Sequence, residues 1–232
     1  MSFLAVPIIT TPLLKVPLLV SSAFFTYSGF TPPRAHPRKD ERDRAVRTDI
    51  NTATIPLSMC GLALTEAALI ITDTFPSTLS SSLPRPAAPL GLDGLSVAGC
   101  LLATAGGALR IWCHRALGRF FTWPVALVDD HALITSGPYA YVRHPGYSGF
   151  VLIVAGSVAL HASPRSLFVA SGLGTSLAGR LAAAGSTAFM LTIATMLLRR
   201  MGKEDEVLRK GFGREWDQWA ERTPWFVFPG LY

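Results

Sequence analysis

Residues 137–149 read GPYAYVRHPGYSG, with apolar stretches on both sides. A run this crowded with Gly, Pro, Tyr, Arg and His cannot form the interior of a membrane-spanning helix, because lipid offers its polar groups no partners. It belongs at a membrane face, lining a polar site. Further on, the last apolar stretch ends in LLRRMGKEDEVL at 197–208, and the chain runs out in FGREWDQWAERTPWFVFPGLY at 212–232. Two polar segments thus flank one apolar hairpin, and both emerge on the same side.

The 232 residues are 50% hydrophobic and only 16% charged, with a positive mean hydropathy. A soluble domain of this size carries more charge, so the composition is that of a membrane protein. The formal net charge of +6 does not point to nucleic acid, because the basic residues form no single stripe with interleaved aromatics. They gather instead at the ends of apolar segments, where they contact an anionic leaflet and set orientation. The expected partners are therefore membrane lipids and no nucleic acid. Cys60, Cys100 and Cys113 lie in or beside apolar stretches without CxxC or Cys/His metal spacing. They read as buried packing residues, with no metal site and no disulfide framework.

A helix needs roughly 20 residues to cross about 30 Å of hydrocarbon, and five stretches qualify. The first, 3–25, carries Pro7, Pro12 and Pro17, which imply kinks. It lacks a basic region ahead of its apolar run and contains Lys15, so it reads as a retained membrane segment and not a signal peptide. The second, 50–72, holds one acid, Glu66. An ionisable group inside a span is a functional candidate by default, or else it is protonated or paired with a basic group of a neighbouring helix. The third, 92–113, carries Gly99, Ala103, Gly106 and Gly107, a set suited to close helix packing. The fourth, 147–161, is short and extends towards Leu167. The fifth is 181–198. The Ser- and Pro-rich stretch TFPSTLSSSLPRPAAPLGLDG reads as a loop, and 162–180 as a turn or broken helix.

The expected fold is all-α, a multi-pass transmembrane helical protein of about five spans, with N-terminal spans and loops over 1–109 and a functional core over 110–232. Arg34, Arg38, Lys39, Arg42, Arg44 and Arg47 precede the second span; Arg110, Arg115, Arg119 and Arg143 lie between the third and fourth; seven more basic residues follow the fifth. Five crossings put all three clusters on one side, which the positive-inside rule makes cytosolic. Lys15, Arg85, Arg165 and Arg180 fall elsewhere.

In 137–149, Pro145 forces His144 away from helical geometry, so the backbone of 144–147 is expected to be extended or turned, with its polar groups free for a ligand. Gly146 and Gly149 would allow close approach where the next helix starts, and that helix N-terminus would favour an anionic group such as a carboxylate. The bland alternative is a loop whose Tyr and Arg anchor at the headgroups. Arg200 and Glu204 share a helix face four residues apart, which is equally the spacing of a simple exposed ion pair. Their position where the last span leaves the bilayer favours a binding role, with Arg200 gripping a substrate carboxylate and Glu204 receiving hydroxyl or amino groups of a cofactor.

Taken together, His131-Ala132-Leu133-Ile134, Gly137-Pro138-Tyr139, Arg143-His144-Pro145-Gly146-Tyr147 with Gly149, Arg200 with Glu204 and Asp205, and Phe212-Gly213 resemble the isoprenylcysteine carboxyl methyltransferase family of integral membrane enzymes. The resemblance covers about residues 110–229. It implies that His131, Ala132, Leu133, Ile134, Tyr139, His144, Pro145, Gly146 and Tyr147 wrap S-adenosylmethionine. It further implies that Glu204 is an acidic contact to that cofactor and that Arg200 meets the substrate carboxylate. The chain has Gly146 where the family often has Ser, which removes a hydroxyl. It has Trp216 and Trp219 where the family usually has Tyr, which preserves an aromatic packing role.

Nothing in the chain matches GxSxG, a Walker loop, a zinc signature or a dinucleotide fingerprint. Methyl transfer to a carboxylate needs none of them, because the acceptor is already ionised near neutral pH. It needs placement and exclusion of water. His131 and His144 are read as backbone and packing residues, and not as an acid/base pair. The function that the resemblance implies is methylation of the C-terminal carboxylate of prenylated cysteine on CaaX proteins, or on small prenylcysteine analogues. The family works in the endoplasmic reticulum membrane, and the tail of this chain would be cytosolic. A lipid-open groove between helices would admit the prenyl chain. The alternatives are a phospholipid N-methyltransferase, a sterol-reductase-like enzyme using a nicotinamide phosphate, and an inactive membrane scaffold. Arg200 suits a carboxylate better than the amine of the first.

Overall fold

The structure, a computed structural model, describes residues 12–31, 54–75, 85–121 and 130–231. The start of the first expected span, the basic cluster at 34–47 and part of the Ser/Pro-rich stretch lie outside the described residues. The described chain forms α1 (Lys15–Phe30), α2 (Thr54–Thr74), α3 (Gly94–Leu117), α4 (Pro145–Ala162), α5 (Leu167–Ala170), α6 (Leu177–Phe212) and α7 (Arg214–Arg222). Short 3-10 turns at Pro12–Leu14, Gly118–Phe120, Gly137–Ala140 and Leu173–Thr175 complete the regular structure, and no strand occurs among the described residues. Among the described residues, four segments are long and apolar enough to cross a membrane: Pro12–Phe30, Gly94–Phe120, Pro145–Ala170 and Leu177–Phe212. The all-helical, multi-pass expectation holds, and α2 packs beside α1 as a further long helix.

Several boundaries move for local reasons. The first span ends at Phe30, beyond its expected end at 25, and within the described residues its helix runs unbroken from Lys15. Pro12 opens a 3-10 turn and Pro17 falls in the first turn of α1, where a missing N–H has no helical partner to lose. The expected kinks are therefore absent from the described part of the span. Asp93 starts α3 with a reciprocal cap, accepting the Ser96 N–H at 2.8 Å while Ser96 Oγ accepts the Asp93 N–H at 3.1 Å. The fifth expected span is only the first part of α6, whose 36 residues extend about 54 Å at 1.5 Å per residue. Of the expected break at 162–180, residues 163–176 form a turn, the short α5 and a 3-10 turn around Gly172 and Gly174, whereas 177–180, with Arg180, already belong to α6.

The small residues of α3 do what their spacing implied. A Cβ at Gly99 would stand 2.6 Å from Leu160 N, and one at Gly106 would stand 2.5 Å from Gly149 O and 2.8 Å from Ile153 N. Gly107 meets the backbone of Phe25 in α1 in the same way. Bare backbone on both sides lets α1 and α4 close onto α3, where dispersion contacts replace the hydrophobic drive that lipid does not supply. Gly106→Val therefore forces α3 and α4 apart. We expect a loss of about 1–3 kcal/mol, read as a lowered midpoint in thermal unfolding of the detergent-purified protein; an unchanged midpoint would contradict this packing.

At the end of the bundle away from 137–149, Lys15 and Glu66 are wholly buried and pair at 2.6 Å. Lys15 Nζ also donates to Arg165 O at 3.0 Å, and Glu66 Oε2 accepts the Leu167 N–H at 2.9 Å. Of the two roles open to Glu66, the structure shows pairing with a basic group of a neighbouring helix.

Candidate active site

The polar corner and the last helix meet directly. Pro145 is the first residue of α4, and His144 before it is held at φ −125° and ψ 59°, outside helical space as a residue before proline should be. The expectation that 144–147 would present free backbone is corrected here. Residues 145–147 are already helix, and the N–H groups of Arg143 and His144 donate to Trp225 O and Phe226 O, each at 2.8 Å. The Ser148 hydroxyl donates to Val227 O. After Gly213 ends α6 and α7 turns the chain back, the tail thus clips onto the corner and consumes the donors that a ligand would have used.

Asp205 binds the same corner from α6. Its Oδ2 lies 2.7 Å from Arg143 and its Oδ1 lies 3.0 Å from His144 Nε2, with all three side chains nearly buried. Arg143 also donates to Pro224 O at 3.0 Å and lies 3.8 Å above the Phe226 ring. The His144 ring stacks between Tyr147 and Phe226 at 5.5 and 6.1 Å. Asp205, the neighbour of Glu204 in the sequence motif, is therefore committed to Arg143 and His144.

One residue earlier on α6, Glu204 Oε2 accepts the Tyr147 hydroxyl at 2.7 Å. Arg200, one turn before, lies within electrostatic reach of that same phenol. Tyr139 is brought into the group by the 3-10 turn Gly137–Ala140, and its carbonyl accepts the Trp219 indole N–H at 3.0 Å. Burial, reinforced by the neighbouring Cys113 thiol and Glu204, holds the Tyr139 phenol well above the usual tyrosine range, so it is a neutral hydroxyl. The buried Trp219 and Trp216 of α7 keep the aromatic packing role foreseen for the tail.

The other expected residues are placed less centrally. His131 contacts the rings of Phe120 at 4.8 Å and Phe212 at 5.7 Å. Burial holds its imidazole below the ordinary range and hence uncharged near neutral pH. Ala132 is exposed, and Leu133 and Ile134 are half-buried in irregular chain. At Gly146 a Cβ would meet open space, so close approach does not explain this glycine; it does explain Gly149, where a Cβ would stand 2.7 Å from Arg110 Cγ.

An apolar cavity of about 70 Å³ opens beside the polar group, lined by Tyr147, Phe150, Val151, Ala194, Leu197, Leu198, Val227 and Phe228. Tyr147 thus has its hydroxyl on Glu204 and its ring in an apolar groove between α4 and α6. Residues 98–183 match the family model described as the isoprenylcysteine carboxyl methyltransferase family. This stretch of the chain is similar to that family. A probable protein-S-isoprenylcysteine O-methyltransferase of Oryza sativa subsp. indica is 29% identical over 131 residues, 56% of this chain and 59% of the rice protein. Protein-S-isoprenylcysteine O-methyltransferase B of Arabidopsis thaliana is 27% identical over 128 residues, 54% of this chain and 55% of its own length. Protein-S-isoprenylcysteine O-methyltransferase of Saccharomyces cerevisiae is 34% identical over 76 residues, 32% of each chain. The chain therefore spans little more than half the length of the two plant relatives. The family segment runs from α3 through the corner into the start of α6, and stops before Arg200 and Glu204.

Sequence reasoning missed two parts of this arrangement. The tail at 224–227 carries no chemical motif, and its role lies in backbone carbonyls that any residue supplies. Arg110 was counted only as positive-inside charge, although an ionisable residue flanked by packing glycines inside a span is the same signal that singled out Glu66.

Proposed function

We propose that the protein is an S-adenosylmethionine-dependent carboxyl O-methyltransferase acting on the terminal carboxylate of prenylated cysteine. Its substrates would be processed CaaX proteins or small prenylcysteine analogues, and it would work in the endoplasmic reticulum membrane with the site on the cytosolic face. The observation that carries the reading is the meeting at Tyr147 of a charged cluster with an apolar groove. A prenylated acid has this same division of polarity. The cavity admits only the first part of a prenyl chain, and the rest lies along the apolar surface of α6 in lipid.

The donor set also suits the cofactor. Glu204 offers a carboxylate to ammonium or ribose hydroxyl groups, Arg200 offers a guanidinium to a carboxylate, and Tyr139 and Tyr147 offer aromatic surface. His131–Ile134 and the corner 144–147 form the remaining walls. S-adenosylmethionine, when bound, supplies a methyl group on a sulfonium centre that departs as a neutral thioether. The acceptor carboxyl ordinarily ionises at a pKa of about 3.3–3.7, so the protein has no proton to remove. Arg200 turns the acceptor oxygens towards the methyl carbon, and the aromatic walls exclude water.

Label transfer tests the proposal. Detergent-purified protein given methyl-labelled cofactor and a farnesylcysteine analogue should yield a base-labile labelled ester. Binding of S-adenosylhomocysteine without any transfer would instead favour a scaffold, and heat on adding NADPH would favour a reductase. Arg200→Ala should raise KM for the acid by roughly tenfold or more, the worth of one charged contact, while S-adenosylhomocysteine affinity persists. Glu204→Ala should weaken S-adenosylhomocysteine itself. Normal turnover in both variants would refute the residue roles.

A further inference from the structure

Arg110 is a charge that the proposed reaction leaves unused. It lies inside the third span and is only 8% exposed. Its Nε donates to Gly29 O at 2.7 Å, one of its terminal nitrogens donates to Gly146 O at 3.0 Å, and the guanidinium lies 5.2 Å from the centre of the Phe30 ring. Its path across α4 exists because Gly149 has no Cβ to block it.

No carboxylate among the described residues pairs with it. The ionisable groups coupled to it are the Cys113 thiol, the Tyr139 and Tyr147 phenols and the His114 imidazole, none of which ordinarily carries a negative charge near pH 7. Glu204 is engaged by the Tyr147 hydroxyl and does not reach it. The two carbonyls satisfy hydrogen-bond geometry without supplying a charge. Gly29 lies in the last turn of α1 and Gly146 in the first turn of α4, so the partial charges of those helix ends, about half a unit each and opposite in sign, offset one another. A full positive charge is thereby buried at membrane depth beside the two tyrosines of the site, a costly arrangement unless an anion arrives.

Resting on the methyltransferase reading above, we propose that Arg110 is a binding residue of this site whose charge holds a ligand carboxylate. Two ligands bring one: the acceptor acid and the amino-acid end of the methyl donor.

Calorimetry on the full chain in detergent separates them with two matched pairs. One pair is S-adenosylhomocysteine and its carboxamide; the other is N-acetyl-farnesylcysteine and its methyl ester. In the wild type at least one acid binds more tightly than its uncharged partner. Arg110→Gln should lower the affinity of that acid by about tenfold or more, the size expected of a charge-assisted contact, and leave the uncharged partner within about twofold. Arg110→Lys should restore part of the loss. The pair that responds identifies the carboxylate. Equal losses for both members of both pairs would make Arg110 a structural tie only and overturn the proposal. Should the Gln variant fail to fold, Arg110→Met takes its place in the same comparison, and a wild type with no preference for either acid refutes the proposal outright. If neither S-adenosylhomocysteine nor the farnesylated acid binds at all, the underlying methyltransferase reading fails, and this proposal with it.

Discussion

Asp205→Ala should lower the unfolding free energy by about 3–5 kcal/mol, the cost of stranding a buried charge. The carboxylate serves Arg143 at 2.7 Å and His144 at 3.0 Å, and it is the link between α6 and the corner that precedes α4. Removing it leaves the Arg143 guanidinium, 11% exposed, with one carbonyl and a ring face in place of an anion. Asp205→Asn keeps the shape and one acceptor and should lose less. The combination Asp205→Ala with Arg143→Met removes both charges and should recover most of the stability of the single variant. Chemical unfolding of these proteins and of Arg143→Met alone checks the pattern. A double variant as unstable as the sum of its parts would show that the pair is not one unit. S-adenosylhomocysteine affinity should fall with Asp205→Ala, because Glu204 is the next residue and Tyr147 is three residues beyond His144.

The second large effect lies at the other end of the bundle. Lys15→Met leaves Glu66 buried and uncompensated, with only the Leu167 N–H on Oε2, and should also destabilise by about 3–5 kcal/mol. Lys15→Met with Glu66→Gln should recover more than half of that loss, since a glutamine oxygen still accepts from Leu167 while no charge remains. Because this cluster joins α1, α2 and the Arg165–Leu167 turn away from Tyr147 and Glu204, ligand affinity should be unchanged in whichever variant folds. Unfolding midpoints and calorimetry with S-adenosylhomocysteine read the two halves of this prediction separately; reduced affinity in the folded double variant would mean that the two ends communicate.

Much of this architecture was legible in the residues. The small set on α3 announced close packing, a break fell at Gly172 and Gly174 although the long helix resumed at Leu177, earlier than expected, and the approach of the corner to Arg200 and Glu204 followed from two polar segments flanking one hairpin. What failed to show in sequence was how backbone groups are used. Pro145 signals that His144 leaves the helix, and it does, but nothing in 137–149 tells that the Arg143 and His144 amides are taken by carbonyls some eighty residues later. Spacing likewise grouped Asp205 with Glu204 as one acidic pair. Adjacent helical positions point about 100° apart, so one carboxylate turns to Arg143 and the other to Tyr147. Prolines near the chain start suggested kinks; among the described residues α1 begins at Lys15, and Pro17 sits in its first turn, where a helix tolerates it.

The unbroken course of α6 has its own consequence. From Leu177 to Phe212 no residue interrupts it, and Leu177, Leu181, Phe189 and Leu191 stand exposed along its first half. A rod of this kind answers hydrophobic mismatch by tilting, and its far end carries Arg200 and Glu204 through the same rotation. Acyl-chain length in the surrounding bilayer would then act on the alignment of those two side chains against Tyr147.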